Sequence, residues 1–195
     1  SMMLWDPIRF LEACPSSDGA CAMIIANQDL VSKSPKPPAW ILGGAMRSEP
    51  TIYAGRDEVN PRAGRDCAKD VYAQAGISDP RRQFDCAEIY VPFSWYEPMW
   101  LENLGFADQG EGWRLTLDGA TSLEEGGDIP WNCSGGVLSS NPIGASGMIR
   151  FAEAARQVRG DADQHQVENA RLALGHAYGG GAQFFSMWVV GANKP

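Results

Sequence analysis

The chain has 195 residues, of which 44% are hydrophobic and 21% are charged. These proportions are ordinary for a globular domain with an apolar core, and they exclude a disordered chain. The formal net charge is -8 and no block of Lys or Arg interrupts the acidic background, which excludes general nucleic-acid binding. No apolar run reaches the roughly 18 residues of a membrane span, so we expect none.

The cysteines are scattered and form no Cys-x-x-Cys pair of the kind that binds a metal. We therefore expect reduced thiols, no metal site and a cytoplasmic location. Cys133 precedes a Ser-Gly-Gly turn and could be mistaken for a nucleophile because of this position. A buried, inert thiol is the better interpretation. The five cysteines are Cys14, Cys21, Cys67, Cys86 and Cys133.

Two short strands are predicted in the first quarter of the chain. The apolar segment GACAMIIAN, residues 19–27, reads as a buried strand, and AWILGGA, residues 39–45, as a second one. The breaker-rich segment SKSPKPP between them is typical of a linker.

A helix, a strand and a second helix follow. Apolar residues recur at helical spacing over 66–75, FDCAEIY at 84–90 predicts a strand, and Ser94 is a suitable N-cap for a helix that ends near NLGF. Glu88 lies inside that strand. Because an ionised carboxylate is costly to bury alone, we expect it either to find a cation or donor or to face solvent.

The last third combines a small-residue loop, a helix and a strand. NCSGGVLSSNPIGASG, residues 132–147, opens a helix whose first-turn amides can bind an anion or a polarised carbonyl. We expect Ile149, Ala152, Ala155 and Val158 to face inward on this helix. AQFFSMWVVG, residues 182–191, is apolar on both faces, as in a strand covered on both sides by helices. The pattern as a whole predicts an α/β layered fold.

Five segments follow one another along the chain: DPIRFLEACPSSDGACAMI, EPTIYAGRD, EIYVPFSWYEPMWLENLGF, NCSGGVLSSNPIGASG and GHAYGGGAQ. In this order they resemble the thiolases of the lipid-transfer, sterol-carrier type. The resemblance implies the C-terminal half of the thiolase fold, an α/β structure in which a mixed β-sheet carries helices on both faces. It assigns residues 1–34 to the tail of the N-terminal half and 35–195 to the C-terminal domain.

The sequence departs from the thiolase pattern at each proton carrier of this half. Tyr90 stands where the family has His or Asn, Asn141 where a His is expected, and Ala177 followed by Tyr178 where a Cys is expected. The nucleophilic cysteine of the family belongs to the N-terminal half, and none of the five cysteines occupies its motif. Claisen chemistry needs a second group that moves a proton, which these positions no longer supply.

The tyrosines resemble those of steroid side-chain aldolases in the same group. That resemblance implies a retro-aldol cleavage of a β-hydroxyacyl-CoA into a ketone and a shorter acyl-CoA. Tyr178, with a pKa lowered by nearby amides or cations, and Tyr90 would carry the proton, while Asn141 would donate to the thioester oxygen. Residues expected to contact the substrate are Gly144, Ser146, Gly179, Gly180 and His176.

The resemblance also implies partners. These are an acyl-CoA substrate, the N-terminal half of the fold and a small OB-fold protein, in a homodimer or heterotetramer, with no cofactor beyond the coenzyme A of the substrate. Two other functions stay open, an acyltransferase acting on β-ketoacyl-CoA and a non-catalytic protein that binds lipid or acyl-CoA.

Each proposed site residue also has a structural interpretation. Tyr178 could pack on the glycine turn with its hydroxyl bonded to a carbonyl, Tyr90 could be the outward end of a strand, and Asn141 could be a turn residue before proline. His176 without a carboxylate or metal partner is more often structural.

Overall fold

The computed structural model describes residues 1–50 and 54–195, so three residues of the EPTIYAGRD segment lie outside the described residues. Short 3-10 helices cover Phe10–Glu12, Gln28–Lys33 and Asp163–His165. The strands are β1 (Met3–Trp5), β2 (Ile8–Arg9), β3 (Trp40–Ser48), β4 (Cys86–Glu88), β5 (Leu172–Gly179) and β6 (Phe184–Gly191). The helices are α1 (Arg62–Ala75), α2 (Pro80–Gln83), α3 (Tyr96–Asn103), α4 (Gly112–Leu117), α5 (Gly136–Ser139) and α6 (Ser146–Arg159).

Four strands form one mixed sheet in the order β3-β6-β5-β4. β6 is antiparallel to both β3 and β5, whereas β5 runs parallel to β4. Trp131 extends the sheet by a parallel bridge to Ala87. The predicted mixed sheet is confirmed.

Helices cover both faces of this sheet. On one face, Leu174, Phe185 and Met187 belong to a core shared with α1 and α3. On the other, Ala173 and Val190 pack with α6. β6 is therefore apolar on both sides for the reason expected from its sequence, and the predicted arrangement of helices on both faces is confirmed. No helix within residues 1–50 and 54–195 has the length and apolarity that crossing a bilayer would need.

The free edge of β3 is covered at Gly44 by a side chain of α1. The Gln74 amide accepts a hydrogen bond from the Gly44 N–H and donates one to the Gly44 carbonyl, both at 3.1 Å. Gly43 permits this approach, because a Cβ there would lie 2.9 Å from the carbonyl oxygen of Val71. The backbone groups that an edge strand normally exposes are thus bonded within the domain at this point.

The segment 19–27 is not a strand, contrary to the prediction. It has no regular secondary structure, and the side chains of Ile24 and Ile25 are 96% and 72% exposed. An extended segment needs a neighbouring strand for its backbone groups, and within the described residues no strand pairs with it.

The helix predictions hold in place but not in every detail. Ser94 does not cap α3 with its side chain, because its hydroxyl donates to Glu12 at 2.9 Å. On α6 the inward stripe is rotated from the expected one: Ile149 is only half-buried, while Arg150 and Gln157 are buried with polar partners. A pattern of apolar residues could not reveal inward polar residues whose partners lie elsewhere in the chain.

The glycine run between β5 and β6 serves the hairpin. Gly180 and Gly181 have φ values of 61° and 60°, and Ala182 follows at 61°. The left-handed region favours glycine, so two of the three glycines meet a requirement of the backbone at this turn.

His176 on β5 lies in the core. Its ring is fully buried, with centroids 5.5 Å from Trp100 and 5.8 Å from Phe185. Its Nδ1 accepts the backbone N–H of Tyr90 at 3.3 Å. Burial lowers the pKa of His176 to about 3 because the cationic ring would lose its hydration.

This burial predicts a pH-dependent stability. In the unfolded chain a histidine takes up a proton near pH 6.5, but folded His176 does so only near pH 3, so the unfolded state binds more protons between these values. The free energy of unfolding should fall by up to ~1.4 kcal/mol per pH unit as the pH drops from about 6 to 5. Urea unfolding at several pH values measures it. His176→Gln should flatten this slope, whereas His165→Gln, at the other histidine, should leave it in place; an unchanged slope in His176→Gln would contradict the assignment.

Candidate active site

The three residues predicted to be catalytic, Tyr90, Tyr178 and Asn141, lie together at one edge of the sheet. Since β4 and β5 are parallel, their carboxyl ends lie together, and α6 starts at the same edge. A Cβ on Gly147 would lie 2.7 Å from the Cβ of Ala177, so the first turn of α6 touches β5 directly. The carboxyl edge of parallel strands is where α/β proteins usually bind ligands.

Tyr90 follows β4, and both its backbone and its hydroxyl group are hydrogen-bonded. Its carbonyl accepts the indole N–H of Trp100 at 2.9 Å, and its hydroxyl donates to Oδ1 of Asn141 at 3.0 Å. With the N–H bonded to His176, the backbone and the hydroxyl of Tyr90 all have partners. The alternative of an outward strand end does not describe this residue.

Tyr178 presents its ring to Tyr90. The two rings meet edge to face, with centroids 5.2 Å apart and planes at 89°. Tyr178 also stacks on Tyr96 at 5.4 Å and contacts the rings of Trp100 and Phe185. An aromatic cluster therefore fixes the phenol ring at the edge where Tyr90 and Asn141 lie.

Asn141 connects Tyr90 and Ser146 through hydrogen bonds to its side chain. It is 3% exposed, and its Oδ1 accepts both the Tyr90 hydroxyl and the hydroxyl of Ser146, the latter at 2.7 Å. These two donors orient the amide so that Nδ2 points to Sγ of Cys14 at 3.2 Å. The NH2 group is thus the donor of Asn141, and its contact with a thioester oxygen stays a prediction.

Two residues expected to contact substrate are buried in this chain. His176 is enclosed in the core, where its ring accepts the backbone N–H of Tyr90, and Ser146 is 1% exposed with its hydroxyl on Asn141. These contacts give both residues a structural role, and their contact with substrate stays a prediction. Gly144 and Gly180 are exposed and Gly179 is half-buried at the end of β5, and their contact with substrate stays a prediction.

Sequence reasoning missed Cys14, Ser17 and Tyr96. Cys14 donates its N–H to the Pro92 carbonyl at 2.8 Å, which lays the segment against the loop after β4, and the Ser17 hydroxyl accepts the N–H of Asn141. Both residues stand in CPSSDGA, which belongs to the first of the five segments that resemble the thiolases, and that segment could have indicated a role for them. Taken by itself, Cys14 is only one of five scattered cysteines. For Tyr96, nothing in the helical spacing indicates that its ring would stack on Tyr178.

Both tyrosines are neutral phenols, contrary to the expected lowering of the Tyr178 pKa. Burial, with the Tyr96 and Tyr90 hydroxyls nearby, raises the pKa of Tyr178 well above its ordinary value. Burial also raises the pKa of Tyr90, and the hydrogen bond to Asn141 opposes this only in part. The reason is partial burial among aromatic rings, which takes hydration away from a phenolate.

Glu88 finds a cation, one of the two outcomes left open. Its Oε2 accepts Nη1 of Arg150 at 2.7 Å, and the N–H and hydroxyl of Ser134 donate to the carboxylate at 3.1 and 2.8 Å. Burial raises the pKa of Glu88, which Arg150 and Ser134 oppose. The neighbouring Cys133 has a pKa raised to about 12 by burial and by Glu88, which agrees with an inert thiol.

Comparison with known proteins shows the family to which this chain belongs. The family model "Thiolase C-terminal domain-like" matches residues 44–192. The acetyl-CoA acetyltransferase of Methanothermobacter thermautotrophicus is 34% identical over 92% of this chain and 46% of its own length. Human sterol carrier protein 2 is 31% identical over 98% of this chain and 36% of its own length.

A solved structure of an Ltp2-ChsH2(DUF35) aldolase superposes on the whole chain with a TM-score of 0.83 at 28% identity, covering 50% of the solved chain. The chain thus spans half or less of the length of each of these three proteins. With a family model that matches most of its residues and these relatives, the chain belongs to the thiolase superfamily, as a member of the sterol carrier protein 2 type with a thiolase C-terminal-like domain.

Proposed function

We propose that this chain is the C-terminal half of an acyl-CoA lyase that cleaves a β-hydroxyacyl-CoA by a retro-aldol reaction. The observation that carries the proposal is the phenol pair: the Tyr90 hydroxyl is bonded to Asn141, and the Tyr178 ring lies against Tyr90. Likeness over the whole chain to a structure named as an aldolase supports it.

The reaction moves one proton within the substrate. The Cα–Cβ bond breaks as the β-hydroxyl loses its proton, the Cβ oxygen becomes a carbonyl, and the bond's electron pair passes to Cα as the thioester enolate. Protonation at Cα then yields the shorter acyl-CoA. A proton must therefore leave one oxygen and arrive at a neighbouring carbon, and no oxidant or reductant takes part.

Two neutral phenols suit this transfer. A phenol can accept the departing hydroxyl proton while giving up its own, so a relay through Tyr178 and Tyr90 delivers a proton without a free phenolate, which the aromatic enclosure would disfavour. The Asn141 NH2 is oriented by its two hydroxyl donors and can stabilise charge on the thioester oxygen.

The rest of the assembly is proposed on the same grounds. The substrate is an acyl-CoA with a bulky, steroid-like side chain, and coenzyme A enters only as part of it. The N-terminal half of the thiolase fold and a small OB-fold protein complete the enzyme, in a homodimer or heterotetramer. Support for the small partner is the second protein in the name of the superposed aldolase.

Removal of either phenol hydroxyl tests the relay. In the complete protein, Tyr178→Phe and Tyr90→Phe should each lower kcat by about 100-fold or more, since each removes a proton carrier, and general acid–base groups contribute roughly that factor. Formation of the shorter acyl-CoA measures it.

The matched control is Tyr72→Phe. Tyr72 is also a half-buried tyrosine, but its hydroxyl donates to the Leu104 carbonyl at 2.9 Å, away from the site. This variant should lose some stability and keep its kcat. Full turnover in Tyr178→Phe would refute the role assigned to that ring.

The pH dependence distinguishes a neutral phenol from a phenolate. A group that must be deprotonated gives a rate that rises tenfold per pH unit below its pKa, whereas a group that acts while protonated gives a flat rate there. Because the pKa values of both tyrosines are raised above the ordinary value of a phenol, kcat/KM should be level between about pH 7 and 9. A tenfold rise per unit over this range would identify phenolate as the reactive form.

Acyl transfer is the second candidate, and one observation favours it. Cys14 places a thiol 3.2 Å from the Asn141 amide, within the same site, and an acetyl-CoA acetyltransferase is among the relatives. If the lyase proposal is right, Cys14→Ser in the complete protein should keep cleavage of β-hydroxyacyl-CoA within about fivefold, since the thiol forms no covalent intermediate. Loss of activity together with an acyl adduct on Cys14 of the parent protein, detected by mass spectrometry, would favour the transferase.

A further inference from the structure

Two sets of polar contacts join β4 and its continuation to α6. Tyr90 meets Asn141, which Ser146 at the start of α6 also contacts. Glu88, two residues before Tyr90, meets Arg150, four residues after Ser146. Two residues of extended chain span about 6.6 Å and four residues of helix about 6 Å, so both sets can be satisfied together.

The Glu88–Arg150 contact is the more demanding of the two. Glu88 is 1% exposed and Arg150 4%, so each charge depends on the other for compensation. The guanidinium Nη1 also lies 3.0 Å from the Ser134 hydroxyl, which itself donates to Glu88. A shift of α6 along the sheet would leave both charges buried without partners.

The same shift would disturb the Asn141 amide. Ser146 and Arg150 are one helical turn apart on α6, so they move together. Displacement of Ser146 removes one of the two donors on Asn141 Oδ1, and with it the constraint that points the NH2 group of Asn141 away from Tyr90. The contacts of Ser146 with Asn141 thus depend on where Arg150 is held.

We infer that Glu88 and Arg150 are positioning residues for the active site: their buried ion pair sets the register of α6 against β4 and so holds Asn141 against Tyr90. Neither side chain reaches the reacting atoms, and their effect passes through Ser146 and Asn141. The activity test of this inference rests on the proposed lyase function, and a second measurement does not.

The test replaces the pair by apolar residues in the complete protein. Glu88→Leu/Arg150→Met keeps volume but removes the directional contacts, and such swaps of a buried pair are often neutral for stability. We expect a melting temperature near that of the parent and a KM within about threefold of the parental value. The kcat should fall by about 10- to 100-fold, because misplacement of a catalytic group by about 1 Å costs roughly that much. The matched control on the same helix is Glu153→Leu/Arg156→Met, which removes a pair away from the site and should keep kcat.

The second measurement is the NMR spectrum of ring-labelled tyrosine, with the Tyr90 signal assigned by its loss in Tyr90→Phe. The signal should shift in Glu88→Leu/Arg150→Met and stay in place in the control. A parent protein without lyase turnover would refute the proposed function, and the Tyr90 signal would still decide the inference. Any of three results would overturn the inference: a double variant with parental kcat, one with an unshifted Tyr90 signal, or one that does not fold. In the first two cases the ion pair would not position the site, and in the third it would serve the fold alone.

Discussion

The close approach of α6 to the sheet is the constraint on which the site depends. Gly175 on β5 leaves room for the helix backbone, since a Cβ there would lie 3.2 Å from Cα of Phe151. Gly147 does the same one turn earlier, against Ala177. With the helix this near, the short side chains of Ser146 and Asn141 can reach Tyr90. At a larger separation, water would lie between these side chains and Tyr90, and the hydrogen bonds that orient the Asn141 amide would be lost.

Enclosure determines what kind of chemistry the tyrosines can perform. The rings around Tyr178 hold the phenol in place and bury part of it, and this burial disfavours its ionised form. Fixed position and suppressed ionisation therefore have one cause. A group of this kind is best suited to transfers in which a proton arrives as another leaves, so that no net charge accumulates on the ring.

The fold followed from the sequence wherever one segment carried its own pattern. The apolar strand β6 and the helical spacing of α1 were readable, and the five ordered motifs identified the architecture around them. The failures have a shared physical reason, which is dependence on a distant partner. Segment 19–27 is apolar but has no strand to pair with here, and the inward Arg150 on α6 is explained only by Glu88, 62 residues earlier.

Three residues of the candidate site could be placed together from the sequence, whereas Cys14, Ser17 and Tyr96 could not. Tyr90, Tyr178 and Asn141 were expected from their positions in motifs, and they meet. The direction of the Tyr178 pKa shift could not be predicted, because it depends on which rings surround the phenol rather than on the glycines beside it in the chain. Cys14 lies more than 120 residues from Asn141, and only the folded arrangement brings the thiol to that amide.

The contact of Gln74 with Gly44 blocks the border of the sheet at one residue of β3. A side-chain amide offers one donor and one acceptor, the same set that an incoming peptide unit would offer, and it occupies both backbone groups of Gly44. Another polypeptide that tried to lengthen the sheet along β3 would first have to displace this amide. At Gly44, therefore, the strand offers an approaching chain no unpaired backbone group.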